Sequence, residues 1–503
     1  MPTRLLLIAL AIVLGASRLA AQATPSVATP FVSLDDPDLA LVEQLIQRGV
    51  ISDPQPMIRP LLVADLAAAL AEADTNPASP DAALLERLRA RFAAPTAEAW
   101  WRAGGAAGAE AYSTPRRDLL HPVGDEGVSP YVELRLAAGF GNVVAVTRPA
   151  AEPRVTDDPD WPGRRNVDVA GRILEGYLSA QFKYARITYG QLEHNWGPAG
   201  LPGLPLSAYG YERQGLLFQL GNRKVRLSAL ATDLAPGPDS AGTEVNRYYF
   251  VHRLGLQLSR KLDVAIWEGN VLSGEGRAFE TRFRNPLSVG YVANTIGLGD
   301  RGNVMLGADV RWQAHRRATI EAQVAIDDIW VKNRQNNRDR FGVTLSAQGP
   351  LMGRAAWRAQ YSVVSALALR AFNPADNFSD AGVGIGRNFS DNDFWRASVS
   401  FPVRDRWVVA PEVALLRQGE GAINTPYPVG EDRQNAPTLF IGTVERTWRL
   451  GLTATGREGP LTVSADVGVH RVQNAGHVEG VDETDLAFRV KAVLGIGRDG
   501  ELK

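Results

Sequence analysis

A hydrophobic period of two, running from Tyr131 nearly to the end, constrains this chain more than any other feature. In "NVMLGADVRWQAHRRATIEAQVAID", Val304, Leu306, Ala308, Val310 and Trp312 fall on one face, while Asp309, Arg311 and Gln313 fall on the other. After a polar turn at Ala314 to Arg317, Ala318, Ile320, Ala322, Val324 and Ile326 make the apolar face of a return strand. Such alternation describes a pleated strand with one apolar and one polar side. Each strand has roughly nine to ten residues, the length that crosses a bilayer at a tilt of about 45°.

The pattern recurs in "ILEGYLSAQFKYARITYG", in "GLLFQLGNRKVRLSALA" with a turn at Asn222 to Lys224, and in "RLGLQLSRKLDVAIW" with a turn near Arg260. Soluble sandwiches and propellers also alternate. A membrane barrel is favoured because the strands are long and because tight turns alternate with long polar loops. The apolar faces also end at aromatics such as Tyr189, Trp267, Trp312 and Trp357, where an interfacial girdle would sit. Only helices and closed barrels satisfy the backbone in lipid, and beyond the N-terminus no stretch is apolar for long enough to be a spanning helix. The expected fold is therefore an all-β transmembrane barrel of about 16 to 18 antiparallel strands, with 18 preferred, in the bacterial outer membrane.

Residues 1–23 read as a signal peptide, with Arg4 as the positive region, Leu5 to Gly15 as the apolar core and Ala21-Gln22-Ala23 as small cleavage-site residues. Residues 31–103 read as a small α-helical periplasmic module, because Leu39, Leu41, Val42, Leu45 and Ile46 recur at helical spacing before Gly49. Residues 104–130, rich in Gly, Ala and Pro, read as a linker, and 131–503 as the barrel. The chain has no cysteine, which removes disulfides and thiolate chemistry. Its 54 Lys and Arg against 55 Asp and Glu give no basic field for nucleic acid.

Chemistry is concentrated in "YGQLEHNWGPAGLPGLPLSAYG", residues 189–210. Glu193 and His194 are adjacent, so a strand puts them on opposite faces and they cannot jointly hold a metal. No two of the six histidines show zinc-site spacing, no Gly-x-Ser-x-Gly selects a nucleophile, and no phosphate loop is present. The chain reads as a non-enzyme without metal or cofactor. Flat aromatic faces beside planar polar groups suit sugar rings and their hydroxyls. Gln191, His194, Asn195, Trp196, Tyr209, Arg282, Arg284, Asn285 and Tyr291 are the candidates for polysaccharide contact. The same residues suit a loop that folds over the barrel mouth as a plug.

Two segments resemble the capsule-assembly Wzi family of outer-membrane proteins. "DDPDLALVEQLIQRGVISDPQPMIRPLLVADLAAAL" is similar to that family's N-terminal helical segment, and "YGQLEHNWGPAGLPGLPLS" to its strand end followed by Trp-Gly-Pro and a Ser-Leu run. The resemblance implies an 18-stranded barrel with a periplasmic helical bundle, acting as a surface lectin for capsular polysaccharide without a cofactor. Expected partners are capsular or other surface polysaccharide, outer-membrane lipid and a periplasmic export partner. A porin-like channel for small solutes and a barrel-embedded hydrolase are the alternatives.

Overall fold

The computed structural model describes residues 27–74, 76–114, 119–278, 302–328, 339–387 and 389–501. The expected signal peptide lies outside them, as do Arg282, Arg284, Asn285 and Tyr291. The strands begin with β1 (Ala99–Tyr112), β2 (Gly127–Phe140), β3 (Val143–Ala151), β4 (Gly171–Gln181), β5 (Ala185–Leu192), β6 (Arg213–Gly221) and β7 (Val225–Pro238). They continue with β8 (Glu244–Ser259), β9 (Leu262–Gly274), β10 (Asn303–His315), β11 (Ala318–Asp328), β12 (Arg340–Pro350) and β13 (Ala356–Val364). A two-residue hairpin, β14 (Ser379–Asp380) and β15 (Val383–Gly384), stands apart. The series ends with β16 (Asn392–Val403), β17 (Trp407–Gln418), β18 (Glu445–Glu458), β19 (Leu461–Gln473) and β20 (Asp482–Glu501).

All but the small hairpin join one 18-stranded sheet. It closes because β1 pairs antiparallel with β2 on one side and with β20 on the other. Turns of two to five residues at one end alternate with mostly longer loops at the other. In barrels of this kind the short turns face the periplasm, so the long loops are extracellular. The protein is an outer-membrane β-barrel.

The expected alternation appears as a division between lipid and lumen. Val310 and Trp312 on β10 are exposed on the outer face, whereas Asp309, the residue before Val310, is buried inside. Leu450 lies opposite Val413 on one neighbour and Val469 on the other, and all three are exposed. They form a continuous apolar band. Tyr189 and Trp312 stand outward as expected for a girdle, but Trp267 does not. It points into the lumen, where its Nε1 donates to Asp309 Oδ1 at 2.9 Å, and Ile266 takes the outward position. Indole tolerates either side, and the buried carboxylate supplies the acceptor its N–H needs.

The barrel starts at Ala99, so the segment expected as a linker carries most of β1 and the start of β2. In "AWWRAGGAAGAEAY" both faces are small, which hides the period of two and imitates a loop. The strand is nonetheless paired along its whole length with β2.

Ahead of it, three helices (Pro37–Arg48, Val63–Ala71 and Ala82–Arg91) pack around Leu41, Leu45, Leu61, Leu66, Leu84 and Leu88, all fully buried. The first starts at Asp36, whose carboxylate accepts from the Asp38 N–H, and stops at Gly49, whose φ of 73° suits glycine. The helices dock at the short-turn end. Gln44 Nε2 donates to Arg354 O at 2.6 Å, Gln47 Nε2 to Trp357 O at 2.9 Å, and Arg87 Nε to Asp405 O at 2.8 Å.

Leu450→Arg puts a charge into the lipid-facing band, and it is expected to destabilise the folded barrel by about 2–4 kcal/mol. Urea unfolding in lipid vesicles measures this, and a change below about 0.5 kcal/mol would place Leu450 outside the hydrocarbon.

Candidate functional site

The segment after β5 turns inward and fills the lumen, rather than lying over the mouth. Trp196 is almost completely buried; its backbone N–H donates to Leu206 O at 2.8 Å and its carbonyl accepts from Gln323 Nε2 of β11 at 2.9 Å. Asn195 closes the Gly- and Pro-rich turn: its Nδ2 donates to Leu201 O at 3.1 Å, and its Oδ1 accepts from the Gly203 N–H at 2.8 Å. Gly203 is required there, because an added Cβ would come within 2.1 Å of Trp196 O. Asn195 and Arg59 also exchange backbone hydrogen bonds of 2.8 and 3.0 Å, which join this plug to the helical module. Arg59 in turn is buried against Glu43 at 2.5 Å and Asp53 at 3.1 Å.

Further along, Ser207 N donates to Ile385 O at 3.0 Å and its hydroxyl bonds to Gly386 O, so the loop of residues 365–391 stacks on the first plug. Arg247 of β8 clamps that loop from the wall, donating to the carbonyls of Ala375 at 2.6 Å and of Asn377 and Ser379 at 2.8 Å. Tyr209 stacks on His121 at 4.0 Å and gives its hydroxyl proton to Leu120 O.

Among the expected contact residues, His194, Asn195, Trp196 and Tyr209 are thus brought together as plug. Gln191 is not. It sits outward on β5, with Nε2 donating to Ile173 O at 2.9 Å.

The inward polar side chains of β11 to β13 meet these plugs, not water: Gln323, Thr344 and Ser362 have no exposed surface. The opposite wall is looser. Gly104, Ala106 and Gly108 of β1 face the interior with little bulk, and the Asp466 side chain keeps about a third of its surface exposed, whereas Gly451 and Gly468 are covered by the buried Arg449.

At the extracellular end, the tops of β1, β4 and β20 and the loop of residues 152–170 carry an ion-pair network. Arg154 lies 2.8 Å from Glu110 and also pairs with Glu152. Arg172 reaches Glu152 at 2.7 Å and pairs with Glu212, while Arg489 reaches Glu110 at 3.1 Å. Each charge has an opposite partner, which keeps buried ions tolerable and holds the loop in one position. Tyr211, held by Asp158 at 2.5 Å, meets Trp161 edge-on at 4.6 Å.

Beside this network a cleft of about 320 Å³ opens at the rim, lined by Tyr112, Ser129, Thr156, Asp157 and Asp168 together with Val128, Val132 and Val169. Tyr112 donates its hydroxyl proton to Asp157 Oδ2 at 2.7 Å, which leaves the other carboxylate oxygen for a ligand hydroxyl. The sequence reading missed these residues. Tyr112 and Ser129 lie in the stretch expected as a linker, and the run "TDDPDWPGRR", which holds Thr156 and Asp157, is the signal that could have pointed to them.

No family model matches the chain, and no curated protein matches it in sequence. Its fold is similar to that of Wzi from Escherichia coli, described as an outer-membrane protein involved in group 1 capsule assembly and a carbohydrate-binding β-barrel. The match has a TM-score of 0.61 and 13% identity, and covers 94% of this chain and 99% of that one. Pseudomonas aeruginosa OccK3 (OpdO) matches at a TM-score of 0.45, with 11% identity over 79% of this chain and 96% of its own. A BenF-like porin from Pseudomonas fluorescens Pf-5 also scores 0.45, with 9% identity over 80% and 99%.

Burial, helped by the nearby Arg213 charge, lowers the His194 pKa to about 4. An opened plug returns the ring to its ordinary value near 6.5, so the opened form binds more protons between these values. Plug closure should therefore be fully stable above about pH 6.5 and weaken on acidification toward 4, by on the order of 3 kcal/mol. Limited proteolysis within residues 193–212 against pH reads this, and His194→Asn should flatten the profile. A wild-type profile equal to that of the variant would remove His194 as the cause.

Proposed function

We propose that this barrel binds an exported capsular polysaccharide at its extracellular rim and helps to assemble or retain it at the cell surface. The observation that carries this reading is the occlusion of the lumen from within: plug, second loop and helical module cover polar wall residues that a solute channel would leave wet. With much of the interior closed, the extracellular rim offers a ligand surface, and its cleft combines hydroxyl and carboxylate groups with apolar C–H faces. Hydroxyl-rich rings are recognised by such groups. The likeness of the fold to a carbohydrate-binding barrel agrees with this assignment. Capsular or other surface polysaccharide is the partner so implied; a periplasmic export partner would meet the helical module at the opposite end.

A porin-like channel draws on one observation, the looser wall beside β1 and β19. Planar-bilayer recording separates the two readings: the polysaccharide-binding protein gives no steady conductance above leak, and a porin gives regular steps. In parallel, capsule purified from the source cell is titrated onto the protein. Asp157→Ala removes one acceptor and frees Tyr112, and it is expected to weaken binding about 3- to 10-fold. Steady conductance together with unaltered capsule retention after gene deletion would sink the proposal.

A further inference from the structure

The rim cleft beside the ion-pair network takes its lining from both sides of β2. Gly127 and Ser129 belong to the lumen side, whereas Val128, Pro130 and Val132 stand on the outward face that continues downward as Leu134, Leu136 and Phe140. Val132 lies opposite Ala151 of β3, which also lines the cleft. The loop of residues 152–170 supplies the other wall, with Asp157, Asp168 and the largely exposed Val169. Tyr112 reaches Asp157 by crossing Gly127, where an added Cβ would come within 2.8 Å of the tyrosine hydroxyl. One cleft thus joins the lipid-facing stripe of β2 to the carboxylates of the loop.

The strand has 14 residues, and about 9–11 suffice to cross the hydrocarbon at a tilt. Counted from Phe140 at the periplasmic girdle, the top of the hydrocarbon falls near Val132 and Pro130, where the cleft opens. Val128 and Val169 carry apolar surface beyond that level, where water is a poor neighbour. We propose that the cleft seats the acylated end of the polysaccharide, with an acyl chain rising from the outer leaflet along Val132, Val128 and Val169 and the adjoining sugar hydroxyls at Asp157. This rests on the polysaccharide reading and names the part of the polymer that the rim holds. The junction it fits is an uncharged one: Asp157 and Asp168 are the charged groups of the cleft, and among the described lining residues no cation accompanies them. Carboxylates accept hydroxyls and repel the phosphates of an ordinary lipid head.

The test uses the full protein in nanodiscs, with empty nanodiscs as the reference, and surface plasmon resonance of polysaccharide from the source cell. One preparation keeps its lipid end; the other has lost its long acyl chains to enzymatic cleavage. The intact preparation should bind about tenfold more tightly, and Val128→Ser combined with Val132→Ser should remove that advantage while leaving the deacylated preparation unaffected. Val169→Ser, on the loop, gives a second reading should the strand variant not fold, and Val413→Ser, on the lipid face of β17, should change nothing. Equal affinity of the two preparations, or an end without long acyl chains by mass spectrometry, overturns this inference and leaves the polysaccharide reading standing. Displacement by lipopolysaccharide at equal concentration overturns the assigned occupant, and binding of neither preparation overturns the polysaccharide reading as well.

Discussion

The pairing of β1 with β20 is the contact on which the rest of the structure depends. In lipid every backbone N–H and C=O needs a partner, and an open sheet would leave two unpaired edges. Closure removes both edges at once and divides every strand into a lipid side and a lumen side. A small-residue strand meets this requirement without strong side-chain packing, because main-chain hydrogen bonds to both neighbours fix it in place.

A closed barrel of 18 strands encloses more room than its own side chains fill. Here the space is taken by chain segments that bring their own hydrogen bonds. Asn195, Trp196 and Gln323 make one fixed set of contacts, and Arg247 makes another with the loop beyond. Buried ion pairs such as Arg154 with Glu110 and Glu152 contribute more to uniqueness than to net stability, because desolvation offsets much of their attraction. The result is a rigid floor beneath the extracellular loops. Under the proposed polysaccharide-binding function, such preorganisation leaves little ordering cost on the protein side.

The barrel was legible in the sequence wherever side chains alternated in size and polarity, as in Val304 to Ile326. It was illegible at β1, where Gly and Ala occupy both faces and no period exists to be read. Trp267 was assigned to the wrong side because an aromatic at a strand position fits either a girdle or a buried acceptor, and only Asp309 decides between them. Within the candidate site, the cluster Glu193 to Trp196 announced something unusual but not its role. Local spacing gave the exit from β5; the inward path depends on Gln323 and Arg59, which are far away in sequence. Tyr112 and Asp157 came together only through the fold.

The backbone exchange between Arg59 and Asn195 also bears on the order of events during biogenesis. Segment 27–35 threads along the inner wall, where Thr29 and Gln181 exchange two hydrogen bonds and Phe31 N–H meets the Tyr177 hydroxyl at 2.9 Å. These contacts lie within the ring that β20 completes. Once the seam has formed, the wall leaves the helical module and the plug no lateral entry, so their route to these contacts is either before closure or along the barrel axis from the short-turn end.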